Sequence, residues 1–525
     1  MGKVKVISAK EAASLIKDGD TLGIQGIITA STPVDLMAAV RDRYVETQSP
    51  KGITVFHVSG IGDGNEGGMN MFAHEGLIGK LICGHIGTSP KLFPLITANK
   101  FPTFVVPQGV LTQLARAIGA KRPGVVTSVG LKTFADPRVE GCRANKAAME
   151  LAEDEGVVEV LKIKDKDYLL YKSFPVNICF IKATTADVDG NMSIEKEAVR
   201  LSSLELALAT KNSGGIVIAQ VERLTEAHTI KPHHVVVPGV LVDYVVIASE
   251  VGRRQYFAVP EFHPEWCGET RIPLDQIPPA ELSERKICGR RAALELKEGA
   301  VVNLGIGMPE AVAAVAAEEG LSSRITLSIE AGSFGGVPQS GLAITASTNV
   351  ESIISHADMF IFYDGGGIDL AVLGAAEIDK QGNVNVSKFS GRTVGPGGFV
   401  NITQSTQKII FVGSFMAGKT TLEIKNGQLG IVKEGKTSKF VDTVEQITFS
   451  GEYANDTGKD ILYVTERAVF RLTPDGVELI EIAPGVDLEK DVLSRMAFQP
   501  LISKQLKKMD PRIFTDAPMK LTFHL

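Results

Sequence analysis

The chain has 525 residues, 44% of them apolar and 22% charged, with a formal net charge of −6 at pH 7. That length exceeds what one hydrophobic core supports, so two or three domains are expected, and the composition excludes a disordered or fibrous protein. No run of Lys and Arg alternates with aromatics, no apolar stretch reaches about 18 residues, and the amino terminus lacks a cleavable apolar segment, so nucleic acid, membrane spanning and secretion are not expected.

From Ala12 to Gly26, AASLIKDGDTLGIQG reads as an amphipathic helix, a Lys-Asp-Gly stop and an apolar strand entering a glycine turn, GIQGIITASTP, from Gly23 to Pro33. ITVFHVSG, from Ile53 to Gly60, is a β-branched run ending in Gly, hence a strand and a tight turn. ADVDGNMSI follows from Ala186, and HTIKPHHVVVPGVLVDYVVIA, from His228, has the composition of a strand. The segment from Gln255 to Lys286 is rich in proline and poor in periodicity, which reads as a surface linker with its boundary near Pro278 to Ser283. The expected domains are therefore residues 1–280 and 281–525.

The same order then repeats. AALELKEGAVVNLGIG, from Ala292 to Gly307, matches the first helix, stop and strand, and IGMPEAVAAVAAEEG reads as the next helix. ITLSIEAG begins at Ile325, 272 residues after ITVFHVSG, whereas AEIDKQGNVNV begins at Ala376, 190 residues after ADVDGNMSI. The first half thus carries about 80 extra residues, placed between Thr103 and Tyr171. Alternation of strands such as STQKIIFVGSF with helical patterns argues for two tandem homologous α/β domains with largely parallel sheets. GKDILYVTERAVFRLTPDGVELIEIAP, around a Pro-Asp-Gly turn, adds a β-rich C-terminal portion.

Positions where the halves differ are the candidates for chemistry. At the offset of 272, Glu330 stands where the first half has Val58, at the end of a strand and before the glycine-rich loop SFGGVPQSG. Ligands in open α/β sheets sit beyond the carboxyl ends of strands. FIFYD, ending at Asp364, reads as a strand end, and Gly365, Gly366 and Gly367 after it as either a phosphate or pantetheine cradle or a strand-to-helix turn. GPGGF, from Gly395 to Phe399, is either a tight turn or a set of backbone N–H donors for a developing negative charge. GSFMAGKT, from Gly413, fits a phosphate-loop pattern, but TLEIKNGQLGIV after it alternates like a hairpin and does not open a helix. The His233-His234 pair and His263, Glu265 and Cys267 are interrupted by prolines, so no metal is expected. Five singly spaced cysteines with no CxxC pair read as reduced, mostly buried thiols of a cytoplasmic protein.

KDGDTLGIQG, PQGV at Pro107, ATKNSGG around Thr210, NLGIGMPE at Asn303, SIEAGSFGGVP, FYDGGGIDLAVLGAAEID, GPGGFVNITQ, TERAVF and EIAPGVDL occur in this order. Over essentially the whole chain they resemble the family I CoA-transferases, in the single-chain propionate or acetate branch. The Ile-Glu-Ala-Gly around Glu330 replaces the Ser-Glu-Asn-Gly of the ketoacid enzymes, which fits that branch. The resemblance implies that Glu330 is the nucleophile, exchanging CoA between an acyl-CoA and a short-chain carboxylic acid without cofactor or metal. It further implies that backbone N–H groups of Gly397 and Gly398 stabilise an oxyanion and that Gln108 and Asn385 position the substrate. Candidate CoA contacts are Gly365, Gly366, Gly367, Lys388, Arg392 and Phe399, and the assembly implied is a homotetramer or homodimer. The alternatives are an acyl-CoA hydrolase using the same glutamate and a non-enzymatic small-molecule sensor on a related fold, although no helix-turn-helix pattern flanks the halves.

Overall fold

The computed structural model describes residues 4–273 and 281–523. Part of the expected domain boundary, Pro278–Ala280, lies outside the described residues. The chain forms two compact units: the first holds residues 1–272, 330–361 and 391–401, the second 273–329, 362–390 and 402–525.

In the first unit the strand Thr21–Ile24 lies between Ile178–Asp187 and Ile53–His57, and all these pairings are parallel. The sheet continues through Ile78–Cys83 to Thr103–Val105 on one side, and through Ile216–Thr225 and Tyr244–Ile247 to Lys5–Val6 on the other, again in parallel. Ile178–Asp187 is buried along its whole length, as a strand covered on both faces must be. Side chains alternate between faces with the period of two. Phe56, Ile82, Phe104 and Ile181 join one buried cluster, and their chain neighbours Val55, Leu81, Val105 and Phe180 join another. The expected insertion contains a separate antiparallel sheet of Gly124–Thr127, Lys166–Lys172 and Val158–Ile163.

The expected strand through His228–Ala248 is much shorter than its composition suggests. Tyr244–Ile247 is its one strand and Val237 adds a single bridge to Met192, because Pro232 and Pro238 cannot donate to a ladder and start or precede 3-10 turns at Pro232–His234 and Gly239–Leu241.

In the second unit Thr326–Ile329, Val301–Leu304, Leu370–Gly374, Lys408–Val412 and Asp460–Val464 are parallel neighbours. Ala468–Thr473 and Gly476–Ile482 follow antiparallel, which is the β-rich portion read from the sequence. The helix Glu284–Ala293 is buried although it carries Lys286, Arg290 and Arg291. Glu318 answers Lys286 at 2.7 Å and Arg290 at 3.2 Å, and Glu481 answers Arg291 at 2.8 Å.

The repeat is visible at atomic detail. Asp187 accepts the backbone N–H groups of Asp189 and Asn191 on Oδ1 and the Asn191 amide on Oδ2. Asp379 does the same for Gln381, Asn383 and the Asn383 amide, each buried Asp closing one Asx-type turn between two antiparallel segments.

Candidate active site

The site lies at the carboxyl ends of two neighbouring parallel strands of the first unit, Ile78–Cys83 and Thr103–Val105. Beyond the second of these, Pro107 precedes the helix Gln108–Gly119, whose first residue is 1% exposed. The Gly395–Gly398 loop lies against this edge. Gly397 donates its N–H to Gly84 O at 3.1 Å and accepts the Gln108 N–H on its carbonyl at 3.0 Å. The approach is possible only without side chains: at Gly395, φ is +95° and an added Cβ would fall 2.6 Å from Val105 Cγ1.

Glu330 is the first residue after the strand Thr326–Ile329 and is half-buried. Gln108 Nε2 donates to its Oε1 at 3.0 Å, and the Gly398 backbone N–H also donates to the carboxylate. A methyl group on Gly398 would come within 2.0 Å of Glu330 Oε2. Gly332 keeps φ at +117° and presses on Ile354 O, so the turn after Glu330 is pinned against the segment leading to His356. Loss of hydration pushes the Glu330 carboxyl up to about 7, with the Gln108 and Gly398 hydrogen bonds opposing it. A carboxylate with weakened solvation and accessible surface is a competent nucleophile near neutral pH.

His356, which sequence reasoning passed over, completes the group. Its Nε2 is 2.9 Å from the same Gln108 Nε2, its side chain is 2% exposed, and burial holds its pKa down at about 3. His356 and Gln108 are 248 residues apart in the chain, and a lone histidine in SIISHADMF carries no spacing signal.

The structure thus brings together Gln108, Glu330 and Gly398. It revises the expectation for Gly397, because its N–H is committed to Gly84 O and its carbonyl to Gln108, so it anchors the loop instead of donating to an oxyanion. Asn385, fully buried in the second unit, donates to Glu377 Oε2 and Lys388 O and accepts from the N–H groups of Ser387 and Lys388. Its amide is saturated within its own turn, which removes it as a substrate-positioning group.

FIFYD is helical: His356–Asp364 is an α-helix and Leu370–Gly374 the following strand, the reverse of the expected order. Gly366 and Gly367 donate their N–H groups to Tyr363 O and Phe362 O, as a glycine-terminated helix does. Gly365 and Gly366 are exposed, Lys388 is half-buried, Arg392 is exposed, and Phe399 starts the helix Phe399–Ser405. After GSFMAGKT the chain forms the hairpin Thr421–Lys425 with Gln428–Lys433, as its alternation predicts. His263 stacks on Trp266 and bonds Glu265.

The protein is thus an α/β chain whose candidate site is built around one carboxylate. The sequence matches the coenzyme A transferase family over residues 6–248 and 286–486. It is 47% identical to the caffeate CoA-transferase of Acetobacterium woodii, over 98% of both chains. It is 40% identical to the acetate CoA-transferase YdiF of Escherichia coli K12, over 99% of this chain and 96% of the other. The crystal structure of the acyl-CoA transferase YdiF of E. coli O157:H7, a thioester complex with CoA, superposes with a TM-score of 0.93 at 40% identity, covering 99% of this chain and 98% of the other. The chain belongs to the coenzyme A transferase family. Among the described residues no helix is long and apolar enough to cross a membrane.

Proposed function

We propose that the protein moves CoA from a short-chain acyl-CoA, such as acetyl-CoA or propionyl-CoA, to another carboxylic acid by ping-pong exchange through Glu330. The observation that carries this reading is the half-buried Glu330 carboxylate, raised to about 7 and gripped by the Gln108 amide and the Gly398 N–H. Glu330 attacks the thioester carbonyl, and the carbon–sulfur bond breaks to release CoA thiolate and an acyl-glutamyl anhydride. The thiolate then attacks the glutamyl carbonyl, releasing the first acid and leaving a glutamyl-CoA thioester. The second acid reverses both steps, so no water, metal or nucleotide is consumed.

Gln108 and Gly398 supply the N–H groups that face the charge developing on the Glu330 carbonyl oxygen. Anhydrides are high in energy, and binding of the distant nucleotide end of CoA offsets that cost. Lys388 and Arg392 are the cations proposed to meet its phosphates, with Phe399 and the turn at Gly365–Gly367 as further CoA contacts. A homotetramer, or failing that a homodimer, acting in the cytoplasm is the assembly proposed. The thioester complex with CoA named for the YdiF structure supports the covalent reading.

The test mixes enzyme and acetyl-CoA with and without propionate. Propionyl-CoA should form only when the acid is present, and Glu330→Ala should lower the rate by about 10⁴-fold or more. Sustained release of free CoA without an acid would instead identify a hydrolase.

A further inference from the structure

Gln108 Nε2 has two hydrogens and two partners, Glu330 Oε1 at 3.0 Å and His356 Nε2 at 2.9 Å. Ionised, the Glu330 carboxylate only accepts, so in that state the NH₂ end of the amide faces it. The second hydrogen then points at His356 Nε2, which must be the unprotonated nitrogen. We propose that His356 is a positioning residue: as a fixed acceptor it locks the Gln108 amide with N–H towards the reacting carboxyl group.

The reason such a lock is needed lies in the states that follow attack, and it rests on the covalent reading given above. While Glu330 is ionised, its charge alone selects the N–H end of Gln108. Once Glu330 is an anhydride or thioester that charge is gone, and a free amide could turn its Oε1 towards the carbonyl oxygen that must next become an oxyanion. A neutral His356 keeps the donor in place throughout the cycle.

The residue carrying the imidazole is held on its other sides as well. His356 opens the helix His356–Asp364, donates its backbone N–H to Arg200 O at 2.9 Å, and packs its ring 5.4 Å from that of Phe360. Phe360 in turn occupies the space beside Gly109 and Gly398, where added Cβ atoms would fall 2.3 and 3.1 Å from its ring. Gly109 donates its N–H to Asn401 Oδ1 at 3.1 Å, which ties down the start of the Gln108 helix.

Two substitutions of similar bulk separate this role from simple packing. His356→Gln retains an oxygen acceptor near the position of Nε2, and His356→Met fills the space without a comparable one. His356→Met should lower kcat roughly ten- to a hundredfold with the KM for acetyl-CoA nearly unchanged, whereas His356→Gln should recover most of kcat. In a Gln108→Ala background, His356→Met should cost no more than about twofold further, because the residue it acts through is absent. If His356→Met does not fold, His356→Gln still decides: a large loss in a variant of wild-type thermal stability overturns the proposal. So would wild-type kcat in His356→Met, or an undiminished effect of it in the Gln108→Ala background. Trapping of CoA on the wild-type enzyme is measured alongside. Its failure would remove the covalent reading, while trapping together with a fully active His356→Met would remove only the role of His356.

Discussion

At the scale of single residues, Glu330 is held where its ionisation is costly. Its folded-state pKa of about 7 lies above the ordinary value of 4.5, and desolvation is the main cause. In the proposed reaction the ionised form is the nucleophile, so kcat/KM for acyl-CoA should rise with pH to a plateau above about 7. The stability consequence has the opposite sense. Between pH 4.5 and 7 the folded chain retains a proton that the unfolded chain has released, so stability falls as pH rises through that window. Glu330→Gln has nothing to ionise, and its Tm should match wild type below pH 4.5 and exceed it by a growing margin up to about pH 7. A Tm difference independent of pH would contradict this. Gly398 is constrained differently, since its Cβ would collide with the carboxylate it serves. Gly398→Ala should remain folded and lose about 10²–10³-fold in kcat, read by steady-state rates beside circular dichroism.

At the scale of elements, much of the frame was legible in the sequence. Ile53–His57 and Thr326–Ile329 are strands as their β-branched runs predict, and the turns at Asp187 and Asp379 share a side-chain pattern. FIFYD was misread because a short apolar run fits a buried helix as well as a strand, and only the glycines after it mark a helix end. Asn385 and Gly397 were plausible by type, but hydrogen bonds no spacing reveals had already engaged them. The helix Glu284–Ala293 shows the same limit in its packing, since four cations in ten residues read as a surface. Its burial depends on partners elsewhere: Lys286, Arg290 and Glu318 have side chains 4%, 0% and 6% exposed. Glu318→Ala would remove a buried carboxylate from two buried cations and should cost about 3–5 kcal/mol in chemical denaturation. A loss below 1 kcal/mol would show that the pair is not what holds the helix in place.

At the scale of the whole molecule, the sequence repeat and the compact units divide the chain differently. Residues 330–361 and 391–401 belong by sequence to the second half, yet they pack with residues 1–272, and this is why Glu330 meets Gln108. The proposed division into domains 1–280 and 281–525 therefore predicts interdependence. Neither fragment should be active alone, because the second carries the glutamate without Gln108 and the first carries Gln108 without the glutamate. Co-expression should restore transfer, measured as propionyl-CoA formed from acetyl-CoA. Activity in residues 281–525 alone would show that Gln108 is dispensable.

Covalent carriage of CoA by Glu330 is tested by intact-mass analysis of enzyme mixed with acetyl-CoA. The expected species is heavier by one CoA less one water, its CoA maps to the peptide containing Glu330, and it does not form in Glu330→Gln. A wild-type enzyme that turns over acetyl-CoA with propionate and yet never carries CoA, or that carries it on another residue, would contradict it.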